Sequence, residues 1–142
     1  MCVSVVAAPS PHLQRIVQEA QAFLEENLDR DLDLRSIAAQ ARLSPYYFTR
    51  VFTATVGTPP YRYLIALRIA RAKELLSGTE LTVTQICSRV GFQSLPHFTT
   101  TFRRHTGSTP TDYRRRQDFE ADVRFTPGTA PLVVQPDRRL TR

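Results

Sequence analysis

Two short sets of residues, repeated fifty positions apart, carry the side chains in this chain best suited to recognition chemistry. The first is Tyr46, Thr49, Arg50 and Thr53; the second is Pro96, Thr99, Thr100 and Arg103. Each set falls at i, i+3, i+4 and i+7, the spacing that gathers side chains on one face of an α-helix. Arg can fork onto the two acceptors of a guanine edge, a hydroxyl can reach a base or a phosphate oxygen, and an aromatic edge can meet a thymine methyl. The same pattern also describes a solvent-facing helix, and for one helix alone the two readings are equally good.

Such a face needs a framework to hold it, and helical periodicity runs from about residue 11 to 117. Leu13, Ile16, Val17, Ala20, Phe23, Leu24 and Leu28 mark a first helix, with Ser10 as N-cap and Pro11 in its first turn. A short helix follows over 34–41, capped by Asp33, with Ile37, Ala38 and Ala41 inward. Ser44 caps the next, and Gly57 closes it. Pro60 opens a long apolar helix that Gly78 stops. Three more span 83–90, 94–106 and 110 to about Gln117. The pattern predicts an all-α fold of about seven helices, with no strand. Within the two capped helices, Phe48, Val51, Phe52 and Thr55 are expected inside, as are Phe98, Thr101, Phe102 and His105.

The framework repeats itself. Ile37-Ala38 recurs as Ile86-Cys87 and Leu43 as Phe92, a shift of 49 residues. One extra residue makes the shift 50 for Ser44 and Ser94, Phe48 and Phe98, Phe52 and Phe102, Gly57 and Gly107, Pro60 and Pro110, and Tyr63 and Tyr113. Each copy has a short helix, a tight turn and a second helix, with small Ala38 or Cys87 where the pair must cross. That is the arrangement of a helix-turn-helix, whose second helix enters the major groove.

Charge follows the repeat. The 142 residues carry a formal net charge of +6, but residues 1–41 are net −3, residues 42–117 net +9 and residues 118–142 neutral. A concentrated positive field favours polyanions and releases counterions when it meets nucleic acid. Duplex readout suits a capped helix in a repeated pair better than Tyr46-Tyr47 serving as a stacking platform for single strands. Cys2 and Cys87 make neither a disulfide framework nor a metal cluster, and His12, His97 and His105 have no partners at ligand spacing. Cys87, at a small inward position, reads as a core thiol rather than a nucleophile. With no phosphate-binding loop, no G-x-S-x-G and no H-E-x-x-H, the chain reads as a non-enzyme without cofactor or metal. No apolar run is long enough for a membrane helix and no secretory leader is evident, so a cytoplasmic protein is expected.

The run Leu43-Ser44-Pro45-Tyr46-Tyr47-Phe48-Thr49-Arg50-Val51-Phe52, with Gly57-Thr58-Pro59-Pro60-Tyr61-Arg62-Tyr63-Leu64, resembles the first half of the AraC/XylS family DNA-binding domain. Leu67-Arg68-Ile69-Ala70-Arg71-Ala72-Lys73-Glu74-Leu75-Leu76 is similar to its linker helix. Val90-Gly91-Phe92, His97-Phe98 and Phe102 through Arg115 are similar to its second half. The likeness covers about residues 11–116. It implies a first helix-turn-helix subdomain over 11–59, a linker helix over 60–78 and a second subdomain over 79–117, after a short lead (1–10); past it, the breakers Pro127, Gly128, Pro131 and Pro136 predict a largely flexible tail over 118–142. It also implies a transcription regulator, placed on the bacterial nucleoid, whose recognition helices (44–56 and 94–106) enter successive major grooves of an asymmetric duplex site, about one helical turn apart.

Carried over position by position, the likeness makes Tyr46, Thr49 and Arg50 base contacts of the first helix, and Leu95, Pro96, Thr99 and Thr100 those of the second. His97, Arg103 and Arg104 are candidates for phosphates. Thr100 departs from the family, which commonly has Arg there, and Leu95 and Pro96 lack polar reach. The first helix is therefore expected to carry most of the base discrimination. Only about ten residues precede the first helix, which is similar to small single-domain activators that act as monomers and touch RNA polymerase; a DNA-binding part of a longer regulator fits equally. The competing reading is a non-catalytic adaptor on polymerase with weak DNA binding of its own.

Overall fold

The computed structural model describes residues 10–125, and the chain there is all-α. Its helices are α1 (Pro11–Glu26), α2 (Leu34–Gln40), α3 (Pro45–Val56), α4 (Pro60–Gly78), α5 (Val83–Arg89), α6 (Leu95–Thr106) and α7 (Pro110–Phe125). Side-chain oxygens of Ser10, Asp33, Ser44, Thr82 and Ser94 cap α1, α2, α3, α5 and α6 by accepting from free N–H groups of the first turn. Thr82 and Gln85 form a reciprocal capping box. Gly57 and Gly107 close α3 and α6 with left-handed backbone. The last helix runs to Phe125, past the expected end near Gln117: residues 118–125 contain neither Gly nor Pro, and the first breaker is Pro127. Residues 1–9 and 126–142, most of the expected lead and tail, lie outside the described residues.

Two apolar cores form. The first unites Val17, Ala20 and Leu24 of α1, Ile37 and Ala38 of α2, Phe48, Val51 and Phe52 of α3, and Leu64 of α4. The second unites Ile65, Ile69, Ala72, Leu75 and Leu76 of α4 with Ile86, Cys87, Val90, Phe92, Phe98 and Phe102. Helix α4 is thus a wall of both cores, and Leu28 packs against each. Phe48–Phe52–Tyr63 in one core and Phe98–Phe102–Tyr113 in the other repeat nearly the same ring distances, 5.8 and 5.5 Å. The sequence repeat is therefore a repeat of packing.

Thr55 and His105, expected inside, are both exposed. The fully buried residues of each second helix end at Phe52 and Phe102, and the side of the last turn that carries Thr55 or His105 overhangs its core. Val56 and Thr106, one residue further on, are half-buried instead. Thr106 donates from its hydroxyl to the carbonyls of Phe102 and Ser108.

Between the cores sits Arg68, 8% exposed. Its Nε donates to the Leu28 carbonyl at 2.7 Å and its second terminal nitrogen to the Arg30 carbonyl at 2.8 Å. Its guanidinium lies 5.9 Å from the centre of the Phe92 ring. Burial pulls its pKa down, partly opposed by Tyr61, Asp31 and Asp29. One side chain thus ties the α1–α2 loop, α4 and the α5–α6 turn. Arg114 does a similar service in the second unit, donating to the carbonyls of Leu76 and Thr79 at the end of α4. Part of the central positive charge is therefore internal scaffolding.

Candidate nucleic-acid interface

The tight turns that aim α3 and α6 are built alike. The Leu43 N–H donates to the Ala38 carbonyl and the Phe92 N–H to the Cys87 carbonyl, both at 3.0 Å. Each turn contains one left-handed residue at the matching position, Arg42 (φ 62°) and Gly91 (φ 95°). Gly91 has a second reason to be glycine: a Cβ there would collide with the Leu28 carbonyl and with the Arg68 guanidinium. The Cys87 thiol points at the Phe92 carbonyl at 3.6 Å, and burial pushes its pKa up, so it stays a neutral core group.

These turns leave one face of each second helix outward. On α3, Tyr46 and Arg50 are exposed and Thr49 is half-buried. Tyr46, 72% exposed, and Arg50 are one turn apart. The Arg50 guanidinium lies 5.8 Å from the Tyr46 ring centre, with Nη1 donating a long hydrogen bond to Oη at 3.5 Å. This pair holds a guanidinium out from the surface beside a flat ring. On α6, Leu95, Pro96 and Thr100 are exposed and Thr99 is half-buried. That face offers two hydroxyls and no charge until Arg103.

The flanks are the reverse. His97, Arg103 and Arg104 of α6 are all exposed, whereas the α3 residues matching His97 and Arg104 are Tyr47 and Ala54. His97 packs edge-on against Phe92, ring centres 5.3 Å apart. Across α6, Tyr61 and Arg62 of the first turn of α4 join His97, Arg104 and His105 around a groove of about 420 Å³ floored by Ile65 and Thr101. Periodicity placed His105 inside and treated residues 60–78 only as a connector, so it missed this groove. It also missed Arg68, although a charged residue in the stripe Leu64, Ile65, Ile69, Ala72, Leu75, Leu76 was a visible signal.

Of the acidic residues, Asp31 lines a neighbouring pocket with Tyr61 and His97, while others gather elsewhere. Glu25, Glu26 and Asp29 share a different groove with Arg71 and Arg89. Tyr63 donates its hydroxyl to Glu25 at 3.0 Å, and burial together with that carboxylate pushes the phenol's pKa up. Among the described residues, no cluster of His, Cys, Asp and Glu could hold a metal and no helix is long and apolar enough to cross a membrane.

Comparison with known proteins bears on what such a pair of helices does. Residues 37–116 match the family model described as a helix-turn-helix domain. GbdR, an HTH-type transcriptional regulator of Pseudomonas aeruginosa, is 33% identical over 127 residues, which make up 89% of this chain and 34% of that protein. The DNA-binding domain of AdpA, a global transcriptional factor, solved in complex with a target DNA, superposes with a TM-score of 0.72 at 31% identity, covering 75% of this chain and 96% of that one. A transcriptional regulator from Chromobacterium violaceum with an AraC-type DNA-binding domain superposes at 0.68 with 33% identity, covering 81% and 96%. The chain spans about a third of the length of the curated relatives it matches.

Proposed function

The chain belongs to the AraC/XylS family of helix-turn-helix proteins, and from that premise we propose that it is a sequence-specific duplex-DNA-binding regulator of transcription. The observation that carries this reading is the duplicated unit, with a reading helix held outward in each copy by a turn of the same hydrogen-bond pattern. Two such helices fixed to one wall, α4, suit an asymmetric site read in successive major grooves, about one helical turn apart. The likeness to the AdpA domain, which was solved on its target DNA, supports the same partner.

The division of labour within the site follows from the side chains. Tyr46, Thr49 and Arg50 supply direct base contacts, with Arg50 forking onto a guanine edge. Thr99 and Thr100 add weak hydroxyl contacts, and Leu95 and Pro96 supply apolar contact only. Arg103, Arg104 and His97 hold the backbone and set the register. The bound chain acts as a monomer on such a site and, by analogy with activators of the family, presents a remaining surface to RNA polymerase. None of these roles requires a cofactor, a metal or an enzymatic step.

Selecting bound sites from random duplexes tests the reading. The expected result is a motif of two elements about 10 base pairs apart, centre to centre, the stronger one assigned to α3 by its loss in Arg50→Ala. Recovery of no enriched sequence would overturn it.

A further inference from the structure

Arg62 and Arg71 lie on the same helix, nine residues apart. At 3.6 residues per turn that is about two and a half turns, so they stand on opposite sides of α4. Arg71 pairs with Glu74 at 2.9 Å and opens onto the groove of Glu25, Glu26 and Asp29. Arg62 opens onto the groove toward α6, whose lining contains no carboxylate. Neither the Arg71–Glu74 nor the Arg115–Asp112 ion pair involves Arg62 or Arg104. Charge is therefore sorted across α4: one side is neutralised within the protein, and the other is left for something else.

The location of the second groove says what. His97 and Arg104 are seven residues apart on α6, on the flank between its outward face and its core face. Any partner lying against the outward face of α6 passes this flank next. The groove is lined by α6 and by the start of α4, which follows α3 after the three residues 57–59, so its walls come from one reading helix and from the element joined directly to the other. A duplex gripped in two successive grooves carries a sugar-phosphate strand across the interval between them, and its charge density is what unpaired guanidiniums match.

We propose that the α4–α6 groove is the seat of this intervening strand, with Arg62 and Arg104 as its phosphate clamps and His97 and His105 as hydrogen-bond donors beside them. This rests on the duplex-DNA reading above, and adds to it a binding role for α4 and for a histidine on the overhanging last turn of α6. Contacts to phosphate position a protein without reporting sequence, so the groove raises affinity for every duplex equally.

The test is the salt dependence of binding by the full chain, measured on a selected duplex and on a scrambled one. Each phosphate clamp lost should flatten the slope of log affinity against log salt by about 0.9. Arg62→Gln and Arg104→Gln should each do so equally on both duplexes, Arg62→Lys should keep the wild-type slope, and Arg71→Gln should leave it unchanged. Thermal unfolding checks that each variant folds. A wild-type slope in Arg62→Gln, or an equal flattening in Arg71→Gln, would overturn the groove's role. Equal wild-type affinity for the two duplexes would overturn sequence-specific reading while the slopes still score the groove. Absence of any salt-dependent binding would overturn both.

Discussion

The two helix-turn-helix units share a backbone and a ring-packing scheme, yet they keep their polar side chains in different places. The first projects Tyr46 and Arg50 from the middle of its outward face, with neutral Tyr47 and Ala54 on the flank. The second has Pro96 and Thr100 in the middle and His97 and Arg104 on the flank. Duplicated folds free one copy to specialise, and here the cores stayed alike while the surfaces parted. A guanidinium at the centre of a reading face can discriminate bases, whereas one on the flank reaches the strand that every sequence shares.

The turns differ in the same spirit, and they give the largest expected effects. Gly91→Ala forces a side chain into left-handed backbone and against Arg68, and should lower unfolding free energy by about 3–4 kcal/mol. Arg68→Met strips donors from the Leu28 and Arg30 carbonyls and should lower it by about 2–4 kcal/mol. Urea denaturation followed by circular dichroism reads both, and a loss below about 1 kcal/mol in either would mean the units are not joined there. Next comes the reading face. Arg50→Ala should weaken binding to the selected duplex by about 1–3 kcal/mol and relax its preference, while Thr100→Ala should cost under about 0.5 kcal/mol. Equal losses at one salt concentration would erase the asymmetry between the helices. Smallest of all on the stability side, Arg42→Gly relieves a left-handed arginine in a turn with no comparable crowding. It should change unfolding free energy by no more than about 1 kcal/mol, the contrast with Gly91→Ala being the informative quantity.

Much of this was legible in the sequence because the signals were local. Ser10, Asp33 and Ser44 as caps, Gly57 as a stop and the apolar spacing of α1 and α3 depend on neighbours within a turn or two. The 49- and 50-residue shifts then made the second unit readable from the first. What escaped is non-local or lies at element ends. Arg68 bonds to main-chain oxygens 38 and 40 residues away, which no side-chain pattern announces. Thr55 and His105 obey the inner-face spacing, but periodicity carries no information about where a core stops. The expected end of α7 near Gln117 rests on the breakers Pro127, Gly128, Pro131 and Pro136, but a breaker ends a helix only where it stands, and residues 118–125 contain none.

The acceptors of Arg68 have a further meaning. A joint made to carbonyl oxygens does not depend on the shapes of the loop's side chains, only on the charge that Asp29 and Asp31 set beside the guanidinium. Arg30 is exposed and can drift through many substitutions while Arg68 still finds the same two oxygens. The angle between the two reading helices is thus insulated from mutation in the loop that helps set it. Lineages can rewrite that stretch of surface, and whatever meets it, without retuning the spacing of the site they bind.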